Sequence, residues 1–237
     1  MIMSARNEYY MPRLFGYATV PVPYQLAGRL ELFDGAGFGA LLNQPHVRCL
    51  VNHDDAKEVA DVGGGSLLLK HDGFGVLAVI SPPGTRYGMS LVDRVRSGEY
   101  GYMSMLSNRK SGGLASCIGM RVKIERPTTL HEVTISNGPA NRGTALVVED
   151  TWKSQCVATQ GTDVRGLQEH LKRLRDRNWS GAGDIHAAQS AIRKIALFRL
   201  ARLCAANRNS RDGVYTSVRA VDNPSLADLA LACGMFA

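Results

Sequence analysis

The stretch Glu99-Tyr-Gly-Tyr-Met-Ser-Met-Leu106, EYGYMSML, sets one serine hydroxyl inside an apolar run with Gly98 and Gly101 just before it. Aromatic and large apolar residues predict an extended segment ending in a buried strand. Two readings of Ser104 follow. A buried polar side chain ordinarily bonds to a neighbouring backbone group. A hydroxyl held rigid in a strand can also be a nucleophile, provided a base can take its proton. The segment alone leaves both open.

Working outward, the chain reads as mostly strands up to about residue 150. LFGYATVPV, RLELF, VRCLVN, SLLLK, FGVLAVI, GYMSML, CIGMRVKIE and LHEVTIS are short apolar or alternating runs, separated by Gly, Pro, Asn and Asp punctuation such as DGAGFG, NHDD, VGGG and PPGT. One interruption, RYGMSLVDRVRSG, spaces Met89, Val92 and Val95 as a helix does and stops at Gly98. Many strands with an inserted helix predict a mainly β, α+β domain, closed or partly closed as a barrel to protect its edges.

From Thr151 the texture changes. Leu167, Leu171 and Leu174 recur at helical spacing, NWSGAGD breaks the pattern, and Asp184 stands where an N-cap belongs ahead of IHAAQSAIRKIALFRLARLCAANR. A last short helix is expected after Ser225, with Asp228 completing a capping box. The organisation expected is a β-rich domain over residues 1–150 and a basic helical tail over 151–237.

Bulk properties narrow the class. The 237 residues are 45% apolar and 21% charged, ordinary for a globular protein. There is no apolar run suited to crossing a bilayer, and the start MIMSARNEYYMPRL lacks a signal-peptide core. Five widely spaced cysteines without a C-x-x-C pair fit neither a disulfide framework nor a zinc knuckle, so the expected setting is the cytosol. The net charge of +7 belongs to the tail: from Thr151 onward there are 13 Lys/Arg against 7 Asp/Glu. Such a tail could meet nucleic acid, an acidic scaffold or solvent. Its few aromatics and lack of a reader motif disfavour nucleic acid.

Serine chemistry needs a base near pH 7, a group that orients the base, and donors for the oxyanion. Of six histidines, His53 stands out, because in CLVNHDD an apolar strand ends in a polar turn and leaves the ring reachable. A turn histidine bonded to Asp54 or Asp55 is the plainer reading. In LHEVTISNGPAN, alternation puts Leu130, Glu132 and Thr134 on one face, and His131, Val133 and Ile135 on the other. Glu132 is then either solvated or held beside a partner. VGGGS lacks the Gly-Lys-Ser/Thr of a phosphate loop, and no His/Asp spacing supports a metal site.

The order NHD, then SGEYGYMSM, then LHEVTISNGPAN resembles the prohead proteases of tailed bacteriophages, the HK97 type. FGYATVPVP followed by ELFDGAGFGALL is similar to that family's opening segments, and the resemblance spans roughly residues 14 to 148. It implies the fold shared with herpesvirus assemblins, a β-barrel ringed by helices and active after self-association. It implies a serine endopeptidase with Ser104 as nucleophile, His53 as base and Glu132 as orienting acid, without metal or cofactor. The viral relatives use a second histidine as third member, which makes His131 the rival to Glu132. Arg142, just after GPAN, becomes a candidate for oxyanion support, against a plain surface arginine. Met105-Leu106 depart from the aromatic and glycine common at that point of the family.

The resemblance also implies partners and place: the scaffolding protein, or the scaffold-like segment of the major capsid protein, and the chain itself, cut inside the assembling prohead in the bacterial host cytoplasm. The tail would be a packaging or docking element, and a homo-oligomer is expected. The alternative function is a non-catalytic capsid-assembly protein that keeps the protease fold for binding.

Overall fold

The computed structural model describes residues 11–117, 120–151, 166, 169 and 182–208. Its first strand, β1 (Leu14–Thr19), pairs antiparallel with β10 (Ala145–Val148) on one edge and β7 (Val76–Ile80) on the other, and β7 pairs with β6 (Leu67–His71). This gives a four-stranded sheet in the order β10-β1-β7-β6. The continuous apolar run VLAVI is explained by cover on both faces. Phe15, Tyr17, Leu77, Val79, Ala145 and Val147 pack in one core cluster, while Leu14, Val76, Ala78, Ile80, Leu146 and Val148 pack in the other.

The second sheet is built on β9 (Met120–Ser136), which pairs antiparallel with β8 (Tyr102–Cys117) along its length. It also pairs parallel with β3 (Arg29–Phe33) and β4 (Arg48–Val51) near its two ends. The short β2 (Tyr24–Leu26) and β5 (Ala60–Asp61) extend β3 and β4 outward. CIGMRVKIE and LHEVTIS are therefore parts of one strand-bearing stretch. Pro127, which cannot donate to a ladder, is accommodated beside a register shift at Asn108/Arg109.

The class is α+β as expected, but the strands hydrogen-bond as two sheets rather than as one closed ring among the described residues. Where closure would require a ladder between β10 and β8, one backbone bond, Leu146 N–H to Gly101 O at 3.2 Å, joins the sheets. The sheets meet closely at this seam. A Cβ on Gly16 would stand 2.3 Å from Met103 Sδ and 2.9 Å from Ala145 O, so only glycine lets β1 approach β8 this closely.

The helix α1 (Arg86–Arg96) is capped by Thr85, whose Oγ1 accepts the Gly88 N–H, and ends before Gly98 in the left-handed region at φ 81°. Its buried face is Gly88, Leu91, Val92 and Val95. Met89, read as part of that face, is exposed, since the buried stripe runs through Gly88, Leu91, Val92 and Val95.

The long helix α2 (Ala182–Arg208) starts two residues before Asp184, which lies in its first turn rather than at its N-cap. It packs on the outer face of the four-stranded sheet and gives Ala188, Ala191, Ile192, Ile195, Ala196 and Leu200 to the core cluster there. The segment read as a basic tail thus contributes to the body of the protein. Arg199 of α2 donates to Tyr17 Oη and Asp72 Oδ2, each at 3.0 Å, and Tyr17 donates to the same Asp72 oxygen at 2.6 Å. The other Asp72 oxygen accepts the N–H groups of Phe74 and Gly75. Burial, reinforced by Asp72, pushes the Tyr17 phenol well above its ordinary range, so it stays a donor. The expected helix around Leu167–Leu174, apart from Gly166 and Glu169 (both helical), and the one after Ser225 lie outside the described residues. Among the described residues no helix is long and apolar enough to cross a membrane.

Candidate active site

Around its C-terminal end β9 is a central strand, with β4 on one side and β8 on the other. Its Thr134 is register partner to Leu50 in β4 and to Ser104 in β8. Cross-strand partners share a face, and so do residues two apart along a strand. Ser104, Thr134 and Glu132 therefore stand on one face, while Met103, fully buried, points into the core on the other.

The candidate base, His53, comes from the end of β4. Asn52 and His53 both adopt the left-handed conformation, at φ 52° and 59°, which Asn and His tolerate better than most residues. This turn is fastened to β9 by two bonds: Asn52 N–H to Ile135 O at 2.9 Å and His53 N–H to Thr134 Oγ1 at 3.0 Å. The turn doubles back through Asp54 N–H to Val51 O and Lys57 N–H to Asp54 O.

The result points the imidazole at Glu132, with Nδ1 2.5 Å from Oε1. The neighbouring acids are engaged elsewhere. Asp54 accepts from Ala56 N–H and pairs with Lys57, which holds its carboxyl below the usual range, and Asp55 pairs with Arg48. The plainer reading of His53 as a histidine bonded to its own turn is not the arrangement found. The Glu132 side chain is 6% exposed and that of His53 44%. A carboxylate only accepts, so Nδ1 is the donor in this bond, and in the neutral ring Nε2 is then the acceptor.

His53 and Ser104 line the same groove, of about 670 Å³. Ser104 is half-buried, and its hydroxyl has no hydrogen-bond partner among the described residues. Leu26, Phe33, Met105 and Leu106 give the groove an apolar stretch. Phe33 stacks on Tyr24, whose phenol burial pushes above its ordinary range, and lies under Arg109, itself paired with Glu31 at 2.6 Å. Further lining comes from Asn137 to Asn141, the GPAN loop.

Two expectations change. A bulge makes His131 the extra residue of β9, since Leu106 faces Glu132 and Ser107 faces Leu130. Strict alternation is broken there, so Leu130 packs in the core with Val133 and Ile135 instead of sharing Glu132's face. His131 has no bond to His53. Arg142 is exposed, with no hydrogen bond or ion pair among the described residues, and is not part of the groove lining. Sequence reasoning missed Thr134 as the acceptor for His53; the hydroxyl two residues beyond the acid was the available signal.

A reachable imidazole backed by a buried acid opens on a groove that also holds a serine hydroxyl without a hydrogen-bond partner among the described residues, the set of groups that serine hydrolase chemistry uses. Residues 24–156, more than half of the chain, match the family described as caudovirus prohead serine protease, and the chain belongs to that family, the serine proteases of phage capsid maturation. Among solved structures it is similar to a KSHV protease in complex with a hexapeptide phosphonate inhibitor, at 13% identity and a TM-score of 0.40, over 91% of this chain and 98% of that one. No curated protein matches the chain.

Proposed function

We propose that Ser104, His53 and Glu132 form the catalytic triad of an endopeptidase. Ser104 Oγ attacks the scissile carbonyl carbon while His53 Nε2 takes its proton; the same nitrogen then delivers that proton to the leaving amine. Water repeats the cycle on the acyl-enzyme. Glu132 holds the tautomer and stabilises the imidazolium. The observation that carries this reading is the His53–Glu132 bond at the back of a groove lined by Ser104. Oxyanion support by Arg142 requires its exposed guanidinium to turn into the groove, or to act through an ordered water.

The substrates proposed are the scaffolding protein or scaffold-like segment of the major capsid protein, and the chain's own polypeptide, cut within the assembling prohead in the host cell. Self-association of the protease is part of the proposal. A docking role is proposed for the chain after Thr151; within it, the residues after Arg208 carry two Lys/Arg against three Asp/Glu.

A fluorophosphonate, which phosphonylates activated serines, tests the triad. The expected result is one adduct per chain, mapped to Ser104 and absent from Ser104→Ala and His53→Ala. A wild-type chain left unmodified within assembled proheads supports the non-catalytic assembly protein instead.

A further inference from the structure

The three residues before Ser104 are held from outside their own sheet. Gly101 O accepts the Leu146 N–H of β10. The Tyr102 ring lies 3.7 Å from the Arg193 guanidinium of α2. Met103 is gripped by one hydroxyl: Thr144 Oγ1 donates to Met103 O at 2.7 Å and accepts Met103 N–H at 3.4 Å. Thr144 is fully buried, just before β10, so no water can substitute for that grip.

Thr144 also reaches the other wall of the groove. Its N–H donates to Asn141 O at 3.3 Å, and its Oγ1 lies 3.0 Å from the same oxygen. A hydroxyl has one proton, and the shorter contact assigns it to Met103 O. Thr144 is in turn fixed by its own carbonyl, which accepts from Arg193 Nη1 at 3.0 Å. The guanidinium lies so close to the chain that a Cβ on Gly101 would stand 3.2 Å from Nη2.

We infer that Thr144 is a positioning residue for Ser104, and that Arg193 of α2 fixes Thr144 in turn. Thr144 joins the serine strand to the Asn137–Asn141 loop where the two sheets lack a ladder. Arg193 spans the same seam, from Tyr102 to Thr144. The spacing between serine and loop is thereby set through α2, which becomes part of the working enzyme although it does not line the groove. This inference rests on Ser104 being the nucleophile.

The experiment is the kinetics of fluorophosphonate labelling of the full chain, separating the maximal rate from the half-saturating concentration. Thr144→Val removes the hydroxyl and keeps the shape; Thr144→Ser keeps the hydroxyl. A misplacement of an ångström at a reacting group is worth roughly 10²-fold, so Thr144→Val is expected to lower the maximal rate by about 10- to 100-fold, with half-saturation unchanged. Thr144→Ser is expected to restore it. Arg193→Met is expected to lower the rate in the same way while the chain stays folded by circular dichroism, and Arg193→Lys to restore it partly.

Wild-type rates in folded Thr144→Val and Arg193→Met, with Ser104→Ala silent, overturn the inference alone. Should Thr144→Val fail to fold, Arg193→Met decides by itself: a folded chain with the wild-type rate overturns it, and a lowered rate restored by Arg193→Lys supports it. Labelling that persists in Ser104→Ala, or is absent from the wild type, overturns the nucleophile reading and this inference together.

Discussion

His53 Nδ1 lies 2.5 Å from Glu132 Oε1, across the boundary between the end of β4 and the C-terminal part of β9. The two strands are parallel here and Glu132 is in register with Arg48, so the imidazole reaches the acid only because the chain turns back at Asn52–His53. The acid is buried and the ring exposed, the placement that the proposed base needs to meet a substrate.

Glu132→Gln keeps the shape but replaces the carboxylate by a neutral amide, which meets Nδ1 with either its oxygen or its NH2 and no longer stabilises the imidazolium by charge. The rate of Ser104 labelling is expected to fall roughly 10⁴-fold, less than for loss of Ser104 or His53. His131→Gln is expected to leave the rate unchanged, since the bulge leaves His131 without a bond to His53. A loss in His131→Gln equal to that in Glu132→Gln would reverse the two assignments.

Thr134→Val deletes the acceptor of the His53 N–H while filling the same space. The expected cost to stability is about 1–2 kcal/mol, for a donor left unpaired in a partly buried turn. Labelling should slow, with Thr134→Ser close to wild type. Urea unfolding and labelling kinetics on the same samples check both, and a Thr134→Val rate equal to wild type would show that the turn holds without this bond.

The Tyr17–Asp72–Arg199 cluster ties α2 to the sheet. Removing one partner of a buried ion pair leaves the other uncompensated, so Asp72→Asn is expected to cost about 3 kcal/mol. Tyr17→Phe, which loses one neutral donor, is expected to cost about 1 kcal/mol. Denaturant midpoints measure both. Equal small effects would mean that the charge pair is solvated.

Burial holds the His71 imidazolium pKa below its ordinary 6.5, with Asp72 opposing in part. The unfolded chain then binds a proton that the folded chain refuses once pH falls below about 6.5. Stability should decline as pH drops from there toward the folded-state value, and be unaffected by this group above pH 6.5. His71→Gln is expected to flatten that part of the profile, read as thermal midpoint against pH; an unchanged slope would remove His71 as its source.

Much of the site was legible. A strand ending in NHD, a serine in an apolar strand and an acid in an alternating strand are local signals, and each lies where its period places it. The bulge at His131 was not legible, because one inserted residue is invisible to a period-2 reading and moves Leu130 into the core. CIGMRVKIE and LHEVTIS read as two strands, although a register shift carries one strand past Pro127. The largest misjudgement concerned α2. A count of charges is blind to burial, and Arg193 and Arg199, counted as part of a basic tail, are half-buried against Tyr102 and Tyr17. Thr134 and Thr144 went unnoticed because a threonine next to a strand reads as an ordinary strand former.

Ser104 is proposed to cut the capsid or scaffold chain. The most direct measurement is co-expression of the protease with its cognate capsid and scaffold proteins, wild type beside Ser104→Ala, with every chain read by intact mass and assembly checked by sedimentation. Trimmed capsid or scaffold chains are expected with the wild type and full-length chains with Ser104→Ala, in proheads that form in both. Trimming that persists with Ser104→Ala, or assembled proheads left uncut by the wild type, would contradict it.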